Sequence, residues 1–432
     1  MSQPMLRDQF GQSLTTTSPV AVEAYDRAVT SFLEWSASSV ERFQAATAED
    51  PQLAVAHAGL AVGLFMDERF AEARAAAQTA RVVSAAASER ERAHVEALAL
   101  FVEVRIPAAE ARMREHVRRY PRDLMIAQRL YFVWFFQGRF HEMRDLTAAL
   151  MPLFDTESTV PGLHAFVLEE LGDCDTALRL AEAAVRRNPE DTWAVHALAH
   201  ALYEMASFDS GAERMPGAID GCTRIGWYRN HLLWHVVLMH LGRGDYDRAS
   251  ALTHTVFEHE PSPLQLDMRN SVSLLWRFAL CGMDVAARWA PFAEMARLNM
   301  DRPEDLPFHH PHLAMALAGG GDWATAERHL QIVRAKIPPA GTAVIAEVVV
   351  PLIQGLHAFA AGDWVDTIRR IEPLRPRIVE LGGSRAQRDV FHDTLLEACF
   401  RAGDGERAHR LLAERVARRP DHYWLNRRLA PV

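Results

Sequence analysis

The run Asp191–Gly211, DTWAVHALAHALYEMASFDSG, is followed after a short connection by Asn230–Gly244, NHLLWHVVLMHLGRG. In both, apolar residues return every three to four positions until a turn signal intervenes, which is the period of a helix with a buried face. Two His-x-x-x-His pairs, His196/His200 and His231/His235, fall in successive helices. A spacing of four places both imidazoles of a pair on one face, one turn apart. Whether those faces line a site or only pack depends on how the helices are stacked.

The turns carry that information. Gly138-Arg139, Gly172-Asp173, Ala206-Ser207, Gly244-Asp245, Gly282-Met283, Gly321-Asp322, Gly362-Asp363 and Gly403-Asp404 recur every 34 to 41 residues. Five residues after the first member stands a small residue in most cases: Ala177, Gly211, Ala249, Ala287, Ala326 and Ala408, with Met143 and Thr367 as exceptions. Seven before it a second small residue often stands, as at Ala165, Ala199, Ala314 and Gly355. Small residues flanking a turn let two antiparallel helices approach closely. Pro189, Pro261 and Pro420 fall between units, where proline ends one helix without breaking the next. Period, Gly-Asp turn and closing proline together look like tetratricopeptide repeats.

Weaker punctuation extends the plan to Val20–Asp50, Gln52–Ser84 and Glu89–Tyr120. The expectation is an all-α, right-handed superhelix of about ten to eleven helical hairpins without a separable catalytic domain. Residues 1–17 read as a flexible or capping segment, 18–160 as divergent repeats and 161–432 as more regular ones, in one continuous array. Strand signals are nearly absent.

Bulk properties exclude several classes. The 432 residues are 49% hydrophobic and 24% charged, with a formal net charge of -9. That balance argues against a nucleic-acid partner or an anionic membrane, both of which need clustered positive charge. Cys174, Cys222, Cys281 and Cys399 are isolated, so neither a disulfide framework nor a cysteine zinc site is implied. The start, MSQPMLRDQF, lacks the pattern of a signal peptide. A cytoplasmic protein is expected.

The first helix of each unit is expected to line the concave side. With Ala199 as the crowded position, His196, His200, Tyr203 and Glu204 fall on the groove flank, since each residue turns by about 100°. In the next unit Trp234 and Leu238 face the groove with His231 and His235 at its edge, and His312 repeats the offset of His235 two units on. Gln128, Phe132, Phe135 and Phe136 form an aromatic wall, and Glu169 and Glu170 join them. The predicted concavity is aromatic at one end and rich in His and Glu in the middle.

The segments DTWAVHALAHALYEM, NHLLWHVVLMHLGRGDYDRA, LDMRNSVSLLWR and GGSRAQRDVFHDTLLEA (382–398) resemble the tetratricopeptide repeat protein 38 family. The resemblance spans about Asn188 to Ala398. It includes His196, His200, Glu204, His231, His235, Asp267, His312, Gln387, Arg388 and Asp389. It implies an irregular all-α repeat array and carries no activity with it.

Three readings of the histidines remain open. They cap helices or satisfy buried hydrogen bonds, although Leu and Ala fill a repeat core without the penalty of an unpaired polar group. Alternatively, His196, His200, His231 and His235 hold a divalent metal, completed by a carboxylate such as Glu204 or Asp267; Ala197 after His196 excludes the His-Glu-x-x-His arrangement. Or a neutral His beside Glu204 acts as a base, with Arg388 or Tyr203 holding an anionic or carbonyl group. The function expected is a pocket for a small molecule or peptide, lined by Tyr203, Trp234, Phe132, Phe136, Glu170, His312 and Asp267. The alternative is an enzyme, metal-dependent or not, centred on the paired histidines with Arg388. A homodimer is compatible with either.

Overall fold

In a computed structural model, residues 6–154, 157–302, 306–337 and 343–428 are described. They contain twenty-three α-helices and one two-stranded hairpin, Leu6–Arg7 against Ser13–Leu14. The helices form successive antiparallel pairs ending in a short Tyr423–Arg427 helix, and the fold is an all-α tetratricopeptide superhelix. One hydrophobic cluster runs from Leu14 to Leu425. Residues 1–5 lie outside the described residues. Beyond them Leu14 is fully buried, Arg90 Nη2 donates to the Ser13 carbonyl (3.0 Å) and the Thr15 amide to Glu91 Oε1 (2.8 Å).

The turn explains both the strong and the weak punctuation. Gly138 (φ 68°) and Gly172 (φ 95°) end their helices in the left-handed conformation, which glycine adopts without a Cβ penalty. The same conformation recurs at Trp35, Glu68, Val104 and Ala206, with φ of 62°, 58°, 59° and 55°. The N-terminal units use the same turn without its glycine, at a cost of about 1–2 kcal/mol per residue. Asp173, Asp245 and Asp322 then cap the next helix, accepting from the amides of Thr176, Arg248 and Thr325.

Within a pair the two helices differ as their sequences do. Cys174–Arg187 buries only Ala177, Ala181 and Ala184 and turns its arginines and acids to solvent. Thr192–Glu204 buries every residue. A first helix can be buried all round only if something covers its concave side, and that cover is the chain itself. Helix Arg385–Arg401 packs against Thr192–Glu204, Gln265–Leu280 and Val350–Ala360. Arg277 Nη2 reaches the Ala386 carbonyl (2.7 Å) and Trp276 Nε1 the Thr394 hydroxyl (2.9 Å). On the other side, the Trp35 turn meets the segment before Tyr228–Gly242: the Ala37 amide donates to the Arg224 carbonyl (2.9 Å) and Arg224 pairs with Glu34 (3.0 Å).

Two expectations need correction. The predicted groove residues do not face an open channel: His196, His200, Tyr203 and Glu204 are at most 3% exposed, because the superhelix winds tightly enough for helix Arg385–Arg401 to pack into the concavity. At Gly282 the spacing rule fails. Ala287 is exposed because the following helix starts only at Ala290, and Val285 and Trp289 pack in its place.

Candidate metal centre

Helices Thr192–Glu204 and Tyr228–Gly242 lie side by side as the first helices of adjacent pairs. Their four histidines therefore meet in one layer. Ring centroids stand 4.5 Å apart for His196/His200, 5.0 Å for His196/His231, 5.1 Å for His196/His235, 4.4 Å for His200/His235 and 5.0 Å for His231/His235. All four are buried. Nε2 of His196 and Nε2 of His231 face each other at 3.1 Å. His196, His231 and His235 each offer one nitrogen within a set spanning no more than 4.8 Å.

Aromatic rings wall the layer. Phe166 stacks on His196 (5.5 Å, 20°), Trp193 lies 4.6 Å from it, and Trp234 stacks on His231 (5.3 Å, 12°). The Tyr228 hydroxyl is 3.3 Å from His196 Nε2. His231 Nδ1 lies 3.1 Å from Asn270 Oδ1. An amide oxygen only accepts, so Nδ1 carries the proton and Nε2 keeps its lone pair toward His196. Neither ring nitrogen of His235 has a protein hydrogen-bond partner among the described residues. Burial holds all four imidazoles neutral: His200 is pushed down to about 4, His231 to about 3, and His196 and His235 well below the usual histidine range. Neutral imidazoles are the form that binds metal ions.

Behind the histidines lies an acidic tier. His200 Nδ1 is 3.2 Å from Glu169 Oε2, although the atoms are not aligned for a hydrogen bond, and neither Glu169 oxygen has one. Burial raises the Glu169 carboxyl, and the nearby charge of Glu204 adds to that. Glu170 accepts from the Arg385 amide (2.6 Å) and Arg388 Nη2 (3.0 Å). With His200 these glutamates form a second set of three potential ligands.

The remaining singled-out residues sit elsewhere. Glu204 is gripped by Arg419 and lies 3.2 Å from Arg418 Nε; burial pushes its carboxyl up, but these cations outweigh burial and hold it down. Such a carboxylate is committed to its ion pairs and stands apart from the three-histidine set. Arg388 donates to the Gly383 carbonyl and Glu170 and covers the Phe140 ring, so it holds the acidic tier in place. Tyr203 lies under Arg419 (4.3 Å). Asp267 accepts from Asn230 (2.9 Å). His312 bonds the Phe308 carbonyl (2.9 Å) beside Phe391. Phe132 touches Trp193 (4.8 Å), one ring away from His196, while Phe136 packs on Phe135.

Trp193, Tyr228, Phe166 and Asn270 escaped the sequence reading. Two of them carried a signal: Trp193 precedes His196 by three residues and Tyr228 precedes His231 by three, the same offset on two neighbouring helices. Asn270 and Phe166 come from other pairs, and no local pattern points to them.

No protein-family model matches this chain. Among solved structures it is similar to the Naa15/Naa10 assembly bound to HypK-THB, at 11% identity over 94% of this chain and 65% of that one, with a TM-score of 0.26. It is also similar to the P58(IPK) TPR domain, at 10% identity over 91% of this chain and 99% of that one, with a TM-score of 0.21. Both are distant, and the repeat fold rests on this chain's own helices and turns. No helix among the described residues is long and apolar enough to cross a membrane.

Proposed function

We propose that the chain is a metal-binding repeat protein, with a zinc-class divalent ion held by His196, His231 and His235. One observation carries the reading: two buried imidazole nitrogens, His196 Nε2 and His231 Nε2, meet at 3.1 Å beside a His235 ring without protein partners. His231 Nε2 presents a lone pair there, which either an Nε2–H of His196 or a cation shared by both nitrogens satisfies. Tetrahedral zinc with Zn–N of about 2.0–2.1 Å sets its nitrogens about 3.3 Å apart, a spacing that the 3.1 Å His196–His231 pair already matches. Imidazole ligands favour zinc, copper, iron or nickel over calcium or magnesium. Asn270 is the outer partner that fixes the tautomer of His231.

A metal-dependent enzyme is the second reading, supported by the unbonded Glu169 carboxylate beside His200. Three imidazoles leave a fourth position for water, as catalytic zinc sites do, whereas four imidazoles would close the shell.

Metal analysis after dialysis against zinc tests the first reading. One ion per chain is expected, lost in His196→Ala and His235→Ala with far-UV circular dichroism preserved. Absence of stoichiometric metal, with variants that also lose helix, refutes it. Cobalt substitution separates the two readings: pH-dependent visible bands report an ionising bound water, and pH-invariant bands a closed shell.

A further inference from the structure

Arg129 sits in helix Leu124–Phe135 and is 2% exposed, yet no carboxylate pairs with it among the described residues. Its guanidinium lies between the rings of Phe32 (5.0 Å) and Phe132 (4.9 Å). Nη1 reaches Met66 Sδ at 3.3 Å and Nη2 reaches Gln128 Oε1 at 3.2 Å, both neutral acceptors, and Nε has no partner. A buried cation without a counter-charge is disfavoured by several kcal/mol. Burial alone pulls its pKa down to about 9. Two other buried charge clusters among the described residues are built differently. Asp123 is met by Arg90, His94 and His116, and Asp389 by Arg415, Arg418 and Arg419.

Arg129 also lines a cleft of about 30 Å³ with Phe32, Trp35, Ser39, Asp67 and Trp227. A water needs roughly 10–15 Å³ on the same measure, so the cleft takes a group of two or three oxygen-sized atoms. Trp35 holds the left-handed turn at φ 62°, a conformation disfavoured for a bulky residue, and its indole Nε1 is buried without a partner. The Trp35 and Trp227 rings lie 5.5 Å apart beside the guanidinium. A cation, an unpaired indole donor and two aromatic faces are the elements of a site for a carboxylate with a flat apolar body. Asp67 shares the cleft; burial raises its carboxyl, and a hydrogen bond from Trp227 opposes that shift.

We propose that the cleft lined by Trp35 and Trp227 admits the carboxylate group of a small aromatic or apolar monocarboxylate, which pairs with Arg129 while the body of the ligand lies at the mouth against the half-buried indoles. The proposal is independent of any metal at the histidine centre.

Sodium benzoate is the probe, with benzyl alcohol as its neutral counterpart and sodium chloride at equal ionic strength as the salt control. Tryptophan fluorescence and thermal denaturation of the full chain are the readouts. Benzoate is expected to quench saturably and raise Tm, while neither control does. Arg129→Gln should weaken the benzoate response at least tenfold. Ser39→Phe, which obstructs the cleft and leaves Arg129 in place, should do the same. Arg129→Met is expected to melt no lower than the parent protein, because it removes the unpaired charge. A benzoate response equal to that of chloride or benzyl alcohol overturns the proposal. So does a response that survives both Arg129→Gln and Ser39→Phe.

Discussion

His312 was singled out with the paired histidines, and its position in the fold turns it into a measurable stability term. Its ring lies against Phe308 (4.9 Å) and Phe391 (5.6 Å), with Nδ1 2.9 Å from the Phe308 carbonyl. Burial pushes its pKa down to about 3; the Phe308 carbonyl opposes this, and the charges of Arg269 and Arg277 reinforce it. An unfolded histidine titrates near about 6.5. The folded value is the lower one, so the unfolded chain binds the extra proton. The contribution is complete above about pH 6.5 and is lost as the pH falls toward 3. Between pH 7 and pH 5 the loss from this one group is about 2 kcal/mol, at about 1.4 kcal/mol per unit below the unfolded pKa. His312→Gln keeps a donor for the carbonyl but cannot titrate. Urea unfolding of metal-free parent and variant, followed by far-UV circular dichroism, should show the variant less stable at pH 7. At pH 5 the gap should narrow by about 2 kcal/mol. A gap of equal size at both values would refute the burial argument.

Four further outcomes rest on the packing. Gly382→Ala places a Cβ 2.5 Å from the Phe136 backbone at a left-handed position (φ 76°), and should lower Tm more than Gly172→Ala, where φ is 95° but no atom lies within 4 Å. Val104→Gly, relieving a β-branched residue at φ 59°, should stabilise the chain by up to about 1 kcal/mol in thermal melts. Arg419→Met leaves Glu204 and Asp389 each without one of its buried cations and should cost about 3–5 kcal/mol by urea unfolding. Arg119→Met, which removes a surface pair with Glu89, should stay within about 1 kcal/mol of the parent.

The repeat fold was legible because its turn is a local event. Gly-Asp marks a left-handed residue followed by an N-cap, and both act within a few residues of themselves. Even so, Glu68 and Val104 make the same turn with side chains that do not announce it, so the N-terminal units looked weaker than they are. The meeting of His196 with His231 was legible for a related reason: two neighbouring first helices carry the same four-residue spacing. What could not be read was the closure. Contacts such as Arg385 with Glu170, or Gly382 against Phe136, join residues more than two hundred apart, and no periodicity encodes them. Closure converts a predicted open groove into an interior. It also ties Glu204, read as a groove acid, to Arg419, and Arg388 to Glu170.

That interior is unusual in what it buries. A repeat stack needs only Ala and Leu between its helices, and a buried ion pair is often no more stabilising than the apolar residues that would replace it. The inner helices nevertheless carry His, Glu and Arg, and these fall into two kinds of surroundings. Asp389 faces three arginines, and Asp123 faces Arg90 and two imidazoles, arrangements that join neighbouring helices. At His235, at Glu169 and at Arg129, polar atoms are equally buried without protein partners. Each such group is disfavoured by about 1–3 kcal/mol, more if charged, and the apolar residues around it would fill the same volume without that penalty. Single unpartnered atoms also occur within the ion-pair clusters, at Arg419 Nε and His94 Nε2, but there the same side chain is held through its other atoms. His235 differs in that neither of its ring nitrogens is held. The Trp35 cleft and the histidine layer lie close together: Trp35 stacks on Trp193 at 5.4 Å, and Trp193 lies 4.6 Å from His196. A carboxylate bound against Trp35 would touch the wall of the histidine layer through Trp193, and any effect it had on metal affinity would be returned by the metal on carboxylate affinity.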